Sequence, residues 1–338
     1  MNKFNALILG IIILGSSACN VQPTLPATTT PPTASASPTQ PKTGVIRFAA
    51  STPSISSVPF LMALDTLREQ GYTIETTTLR FDLVIPVLTK GDLDIAPLSH
   101  QLGWSAIAKD APLRTIVSWV GNQFLIVVKP EIQSCANLQG KPMGYGSTTA
   151  VNTALFEEYL KRTCTGIAPQ AVLIPSSTNR VAALLAGQLD GALLETDDWL
   201  QIERQAPGKF RILRRLAEEF PKVEIGGYGV RNDFAAAHPE KVKDFVRALL
   251  QAYRRVQDKP VFQDQVAKYL PGDGNALAAV DVYLAQKVFD VNGGLTSESV
   301  QATLDFLTLA KAIPAGLIPT QVVDGSYLRA VLDEIGRK

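Results

Sequence analysis

The chain holds only two histidines in 338 residues, His100 and His238. An imidazole-based metal site needs more than that, so no metal is expected. His238 stands in AHPEK, a helix start, and reads as structural. There are three cysteines, three tryptophans and three methionines. Lysine plus arginine, 32, nearly balance aspartate plus glutamate, 31, for a net charge of +1. No basic stripe with interleaved aromatics occurs, which argues against nucleic acid. No G-x-S-x-G elbow and no other nucleophile–base pairing stands out, so an enzyme is not expected and no cofactor is called for. Beyond the N-terminus, no apolar run is long enough to span a bilayer.

The N-terminus itself reads MNKFNALILGIIILGSSAC, with Lys3, an apolar run from Ala6 to Leu14, then small residues up to a cysteine. This is the layout of a secretory signal, here residues 1–18. The cleavage region resembles a bacterial lipobox, which implies that Cys19 is acylated, although Ser16 stands where such boxes usually carry Leu. Ordinary secretory cleavage after Ser16-Ser17-Ala18 is the alternative. Residues 19–43 (CNVQPTLPATTTPPTASASPTQPKT) hold almost nothing to bury and should form an extended tether between a lipid anchor and a folded body. The protein is therefore expected outside the cytoplasm, anchored to the cell membrane by lipid. In that oxidising setting Cys135 and Cys164 are expected to form a disulfide, with a pair of reduced, buried cysteines as the alternative.

The nearly three hundred residues that follow exceed what one core usually serves, so two lobes are expected. VIRFA, TIETTTLR, LDIAPLS, TIVSWVG, FLIVVKP, KPMGYGS, AVLIPSS and LDGALLE read as strands, separated by segments of helical spacing. Asp82 should cap the helix LVIPVLTK, with Pro86 in or just past its first turn, and Ser99 should cap the helix that contains Trp104. After Asn232 the chain is almost all helix, and packing back on the first half is the simplest arrangement. LTKGDLDIA at Leu88 to Ala96 recurs ninety-six residues later as LLAGQLDGA at Leu184 to Ala192. At that offset Leu88, Gly91, Leu93, Asp94, Ala96 and Leu98 meet Leu184, Gly187, Leu189, Asp190, Ala192 and Leu194. A helix, a glycine stop and a strand are thus written once in each of two similar halves. Asp94 and Asp190 are expected to fix local turns through N–H donors.

The order of VIRFA, DLVIPVLTKGDLDIAPLS, FLIVVKPEIQSCANLQGKPMGYGS, NRVAALLAGQLDGALLE and FAAAHPEKVKDFVRALLQAY resembles the solute-binding proteins of bacterial ABC importers. The branch is the one serving sulfonates, nitrate, taurine and thiamine-pyrimidine precursors, and the resemblance covers essentially the whole chain after Lys42. It implies an α/β fold of the two-lobed periplasmic-binding-protein type (type II), each lobe a mostly parallel sheet flanked by helices. It also implies a small-molecule solute as ligand and a permease and an ATPase as partners, with a monomer as the default. Lobe 1 is expected over 44–125 and 231–338 and lobe 2 over 126–230, with crossings near Phe124 to Lys129 and Tyr228 to Arg231.

In such sheets ligands gather beyond the carboxyl ends of strands, against helix N-termini. That selects Ser51, Ser54, Ser57, Asp82, Ser99 and His100 in the first lobe. In the second it selects Tyr145, Ser147, Thr148, Thr149, Thr178, Glu195, Asp197 and Trp199, and near the hinge Trp119, Asn122 and Tyr228. Singly, each hydroxyl or acid is more often a cap than a ligand. Gly144-Tyr145-Gly146-Ser147 stands out because the glycines permit close approach beside a helix start. His100 is read as a surface or cap residue. Few Arg or Lys and several aromatics and acids favour a neutral or cationic, flat, polar solute. Riboflavin is the first expectation. The alternatives are thiamine-pyrimidine precursors or sulfonates, or a periplasmic enzyme or sensor on the same fold.

Overall fold

β-branched strand runs alternating with amphipathic helices build two five-stranded sheets in the computed structural model, which describes residues 42–50, 53–79, 81–146 and 151–338, with backbone alone at 81–82. The chain divides into two units, Met1–Gln40 and Pro41–Lys338, and all described elements belong to the second. The strands are β1 Val45–Ala50, β2 Thr73–Thr78, β3 Ile95–Ser99, β4 Leu113–Ser118, β5 Leu125–Val128, β6 Pro142–Tyr145, β7 Gln170–Leu173, β8 Gly191–Leu194, β9 Arg211–Arg215 and β10 Gly226–Arg231. The helices of the α/β part are α1 Val58–Glu69, α2 Phe81–Lys90, α3 His100–Ile107, α4 Val151–Thr163, α5 Ser177–Leu185, α6 Thr196–Gln205 and α7 Leu216–Glu219. The helical remainder comprises α8 Asn232–Ala237, α9 Pro239–Arg255, α10 Lys259–Tyr269, α11 Gly274–Ala285, α12 Ser297–Leu309, α13 Pro319–Val322 and α14 Ser326–Ile335.

The sheets are ordered β2–β1–β3–β10–β4 and β7–β6–β8–β5–β9. Strands β1, β2 and β3 are parallel, and β10 runs against β3 and β4. Likewise β6, β7 and β8 are parallel, and β5 runs against β8 and β9. Each reversed strand arrives from the other half of the chain, so the sheets are joined by two crossings, at 119–124 and 216–225. Strand β10, placed with the second half in the sequence reading, pairs in the first sheet, and β5 lies wholly in the second. Strand β9 (RILRR) has three arginines and no apolar alternation, so the sequence carries no strand signal there.

The repeat extends beyond the six matched residues. Gly91 and Gly187 both take positive φ, 98° and 76°, which only glycine adopts without strain as it stops α2 and α5. The Asp94 N–H donates to the Arg47 carbonyl at 2.8 Å and the Asp190 N–H to the Pro142 carbonyl at 2.9 Å, across equivalent strand pairs. The side chains meet cations rather than turn N–H groups alone. Asp94 receives Arg47 Nη2 at 2.8 Å and the Arg47 N–H at 2.8 Å, with Arg231 at 3.7 Å. Asp190 receives Lys129 Nζ at 2.5 Å, with Lys141 at 3.7 Å. Each carboxylate therefore takes one cation from the strand or its approach on either side, which satisfies an acid at the start of a buried strand.

Helix α9 presents Val242, Phe245, Val246, Leu249 and Tyr253 at helical spacing, all buried. It packs on α1 and the first sheet, where Phe245 meets Phe48 at 5.1 Å and Tyr228 at 5.2 Å. Not all of the C-terminal helices fold back on the first half, however, since α11 packs against α6 of the second. Pro86 is the sixth residue of α2, just past its first turn, whereas Asp82 lies within the helix rather than capping it. Cys135 and Cys164 form a disulfide with Cα atoms 6.1 Å apart. Among the described residues no helix is long and apolar enough to cross a membrane.

Candidate functional site

The carboxyl ends of β1, β3, β6 and β8 lead into helix starts, as the strand–helix order requires. In the first half Ser54, Ser56 and Ser57 form a closed hydroxyl cluster: the Ser57 hydroxyl donates to the Ser54 carbonyl at 2.8 Å and accepts from the Ser54 N–H at 3.0 Å. Ser54 and Ser56 hydroxyls pair at 2.9 Å. Ser99 caps α3, accepting from the Leu102 N–H at 3.2 Å. His100 is buried rather than on the surface, its ring stacked on Trp104 with centroids 4.3 Å apart. Its Nε2 lies 3.8 Å from Glu224 Oε2, and neither atom makes a hydrogen bond. Burial pushes the Glu224 carboxyl up, but His100, the Ser299 hydroxyl and the Leu295 N–H outweigh it and hold that carboxyl below its ordinary value. Ser51, Ser147, Thr148 and Thr149 fall outside the described residues, as do the Asp82 side chain and Cys19.

The aromatic positions divide. Tyr145 is buried and packs edge-on against Phe156 of α4, with centroids 5.6 Å apart. Tyr228 is buried and stacks on Phe60 at 5.4 Å. Both rings are occupied by protein neighbours. Trp119 and Trp199 are only partly buried, beside the first crossing and in the first turn of α6. The glycines flanking Tyr145 make room for protein rather than for a ligand. A Cβ on Gly144 would come within 2.8 Å of Leu189 Cδ1, and one on Gly146 within 3.3 Å of Arg180 Nη1. Thr178 is exposed in the first turn of α5, whose cap is Ser176.

The most concentrated polar group surrounds the start of α6. Asp198 accepts from the Glu195 N–H at 3.1 Å, closing the first turn. Thr196, fully buried, donates to Gln286 Oε1 at 3.2 Å, and its hydroxyl lies 3.4 Å from the carbonyl of Gln123 in the crossing. This turn thereby meets both the hinge and the end of α11. Arg180 passes beneath, buried, giving its guanidinium to the carbonyls of Leu193 at 2.9 Å, Ile174 at 2.8 Å and Pro175 at 3.1 Å.

Burial raises the Glu195 carboxyl to about 8, with the charges of Asp197 and Asp198 adding to it and Arg180 opposing. Burial and then Asp198 raise Asp197 to about 6. Asp198 is also raised by burial, against the opposing Glu195 N–H, Arg180 and the Ser177 hydroxyl. Around them Asp197 Oδ1, Gln123 Oε1 and Asn122 Nδ2 are buried without a hydrogen-bond partner, and the buried Tyr283 hydroxyl faces the Gln123 side chain. Among the described residues no group of three or more His, Cys, Asp or Glu is arranged to hold a metal ion. The arrangement is suited to offering hydrogen bonds and negative charge to an organic molecule.

Glu195, Asp197, Trp199 and Asn122 are thus brought to one neighbourhood, whereas Ser54, Ser57, Ser99 and His100 belong to the other sheet and are largely spent on local bonds. The sequence reading missed Gln123, Arg180, Tyr283 and Glu224. Tyr283 sits at helical spacing among apolar residues and reads as core, and Arg180 lies one turn inside an amphipathic helix. No local signal marks either.

A protein-family model described as "NMT1/THI5 like" matches residues 82–262. No curated protein sequence matches the chain. Among solved structures, the ligand-binding component of an ABC-type import system from Staphylococcus aureus, with zinc bound, is similar with a TM-score of 0.71 at 15% identity, covering 85% of this chain and 98% of that one. A putative periplasmic sulfonate-binding protein from Methylobacillus flagellatus has a TM-score of 0.68 at 17% identity, covering 86% and 94%. The periplasmic nitrate-binding protein of Synechocystis has a TM-score of 0.66 at 13% identity, covering 87% and 89%. At these identities the likeness is one of fold, the two-lobed α/β fold of periplasmic binding proteins.

Proposed function

The chain belongs to the NMT1/THI5-like family, and from that premise we propose that it is the extracytoplasmic solute-binding subunit of an ABC-type importer. It captures a small polar molecule between its two sheets and hands it, chemically unchanged, to a membrane permease driven by an ATPase. The observation that carries this reading is the duplicated scaffold. Equivalent strands β3 and β8 deliver Ser99-His100 and Glu195-Thr196 to corresponding ends of two sheets joined by two crossings. Such a pair can hinge about the crossings and close on a ligand. Solute bound more tightly by the closed form shifts the population toward it, and that form is the one a permease would recognise.

Riboflavin remains the first candidate among flat, polar solutes, with thiamine-pyrimidine precursors and sulfonates as alternatives. Trp199, partly buried in the first turn of α6, offers an aromatic face that stacking could use. Cys19 would carry a lipid that holds the monomer at the membrane through the 19–43 tether, and mass spectrometry of the mature N-terminus tests that feature. For the function itself, flavin fluorescence is titrated with protein while small-angle scattering follows compaction. Quenching at micromolar flavin with a shrinking radius supports the reading. Unchanged dimensions with every saturating solute would refute the closing mechanism.

A further inference from the structure

Two arginines beside the hinge are matched by protein groups. Arg180 gives its guanidinium to three backbone carbonyls, and Arg214 of β9 stands 3.3 Å from Glu219. Arg215, the last residue of the same strand, differs from both: its Nη1 is buried and has no hydrogen-bond partner. The backbone there is fixed on both sides. Arg215 pairs with Leu125 of β5, and the Leu216 N–H donates to the Phe124 carbonyl at 2.9 Å. The side chain thus starts from a rigid point, where both crossings meet the second sheet.

A cavity of about 590 Å³ lies at that point. Asn122 of the first crossing and Arg215 at the start of the second both line it, with Phe124, Leu125 and Val282 as its apolar part and Gln286 at the end of α11. Asn122 Nδ2 is a second buried donor without a partner, while its Oδ1 is taken by the Phe124 N–H at 3.2 Å. Two unmatched donors on one cavity, one of them charged, call for an acceptor that carries negative charge. The acids of the lining do not supply it. Glu218 and Asp281 are exposed, Asp281 is paired with Lys259 at 2.7 Å, and neither bonds the buried nitrogen.

We propose that this cavity is a second ligand site at the hinge, and that it takes a small organic carboxylate held by the Arg215 guanidinium and the Asn122 amide. A planar guanidinium matches a carboxylate in charge and in shape, and the apolar part of the lining accepts a hydrocarbon body that an inorganic anion lacks. A ligand held there joins the two crossings. It also lies one contact from α6, since the Gln286 Oε1 accepts from Thr196 at 3.2 Å. The site needs only the geometry of the crossings, whereas any effect of its occupant on lobe closure rests on the solute-binding reading.

The test is calorimetric titration of the purified protein at pH 7.5 and low salt with benzoate, and with benzamide and benzylamine as uncharged and cationic probes of similar shape. Benzoate is expected to bind with a Kd of about 1 mM or lower, and the other two at least about 10-fold more weakly. Arg215→Gln should weaken benzoate about 10- to 100-fold. Asn122→Asp keeps the acceptor for the Phe124 N–H and puts a like charge where the free donor stood, so it should fold and weaken benzoate about 10-fold. Hydrogen exchange of the wild type, which depends on no variant, should show peptides over 119–124 and 211–218 protected by benzoate. Absence of benzoate binding, equal binding of benzamide or benzylamine, undiminished binding in the folded variants, or protection confined to other peptides overturns the assignment. None of these outcomes bears on the capture of another solute between the sheets.

Discussion

Replacing Glu195 by Gln should make the protein more stable at alkaline pH and leave it unchanged at acid pH. The carboxyl is lifted from an ordinary 4.5 to about 8, first by burial and then by Asp197 and Asp198. A folded-state value above the unfolded one means that the native protein holds this proton more tightly. The contribution is therefore whole below about pH 4.5 and is lost as pH rises toward 8, at about 1.4 kcal/mol per pH unit. Between pH 5 and 8 the full loss would be about 4 kcal/mol. Because the carboxyl keeps some contact with solvent, we expect about half of that, roughly 2 kcal/mol. Glutamine has the same shape and never ionises, so it escapes this cost. For a folded body of about 300 residues, 2 kcal/mol corresponds to about 3 °C in Tm. Thermal unfolding of wild type and Glu195→Gln without ligand, from pH 5 to 8.5, should show curves that coincide at pH 5 and separate by about 3 °C at pH 8.5, the variant being higher. Other groups titrate alike in both proteins and cancel in the difference. Parallel curves across the range, or a variant less stable at pH 8.5, would refute the reasoning.

Reducing the Cys135–Cys164 bridge, which closes a loop spanning 29 positions, should cost roughly 3–4 kcal/mol and lower Tm by about 5–6 °C, read by calorimetry with and without reductant. An unchanged Tm would show that the bridge is not formed in solution. Asp94→Asn should destabilise by about 2–4 kcal/mol in urea unfolding, because it strands Arg47 against a buried position. Asp190→Asn, whose own carboxylate is 19% exposed against 2% for Asp94, should cost only about 0.5–1 kcal/mol despite its equivalent place in the repeat. Phe245→Ala should cost about 3–5 kcal/mol, since it opens a cavity among Phe48, Phe60 and Tyr228. A loss near 1 kcal/mol would mean that the aromatic cluster collapses onto the gap.

Much of the secondary structure and the twofold design could be read from the chain alone, because both are written locally. A glycine stop at Gly91 or Gly187, a serine cap at Ser99 and the helical period of α9 each depend on residues a few positions apart. The matched LTKGDLDIA and LLAGQLDGA segments identified two equivalent halves for the same reason. Sheet membership was not legible in this way. Strand β10 reads as a hinge from its glycines, and only pairing with β3 and β4, more than a hundred residues away, assigns it to the first sheet. The two aspartates of the repeat looked like turn formers, and their true partners, Arg47 and Lys129, stand 47 and 61 positions off.

The site followed the same division. ETDDW announced a strand end rich in acid, and its two aspartates help to lift Glu195, but the largest cause of the rise to about 8 is burial, which those five letters do not give. That burial depends on how the fold encloses the turn, with α11 packed against α6. Tyr145 shows the converse, a residue whose flanking glycines suggested ligand approach and whose ring the fold turns onto Phe156. Local sequence decides where a chain can turn and which side chains stand at the ends of its strands. Desolvation, ion pairing and the choice of which ring stays open depend on atoms brought together from distant parts of the chain, and only the tertiary structure decides those.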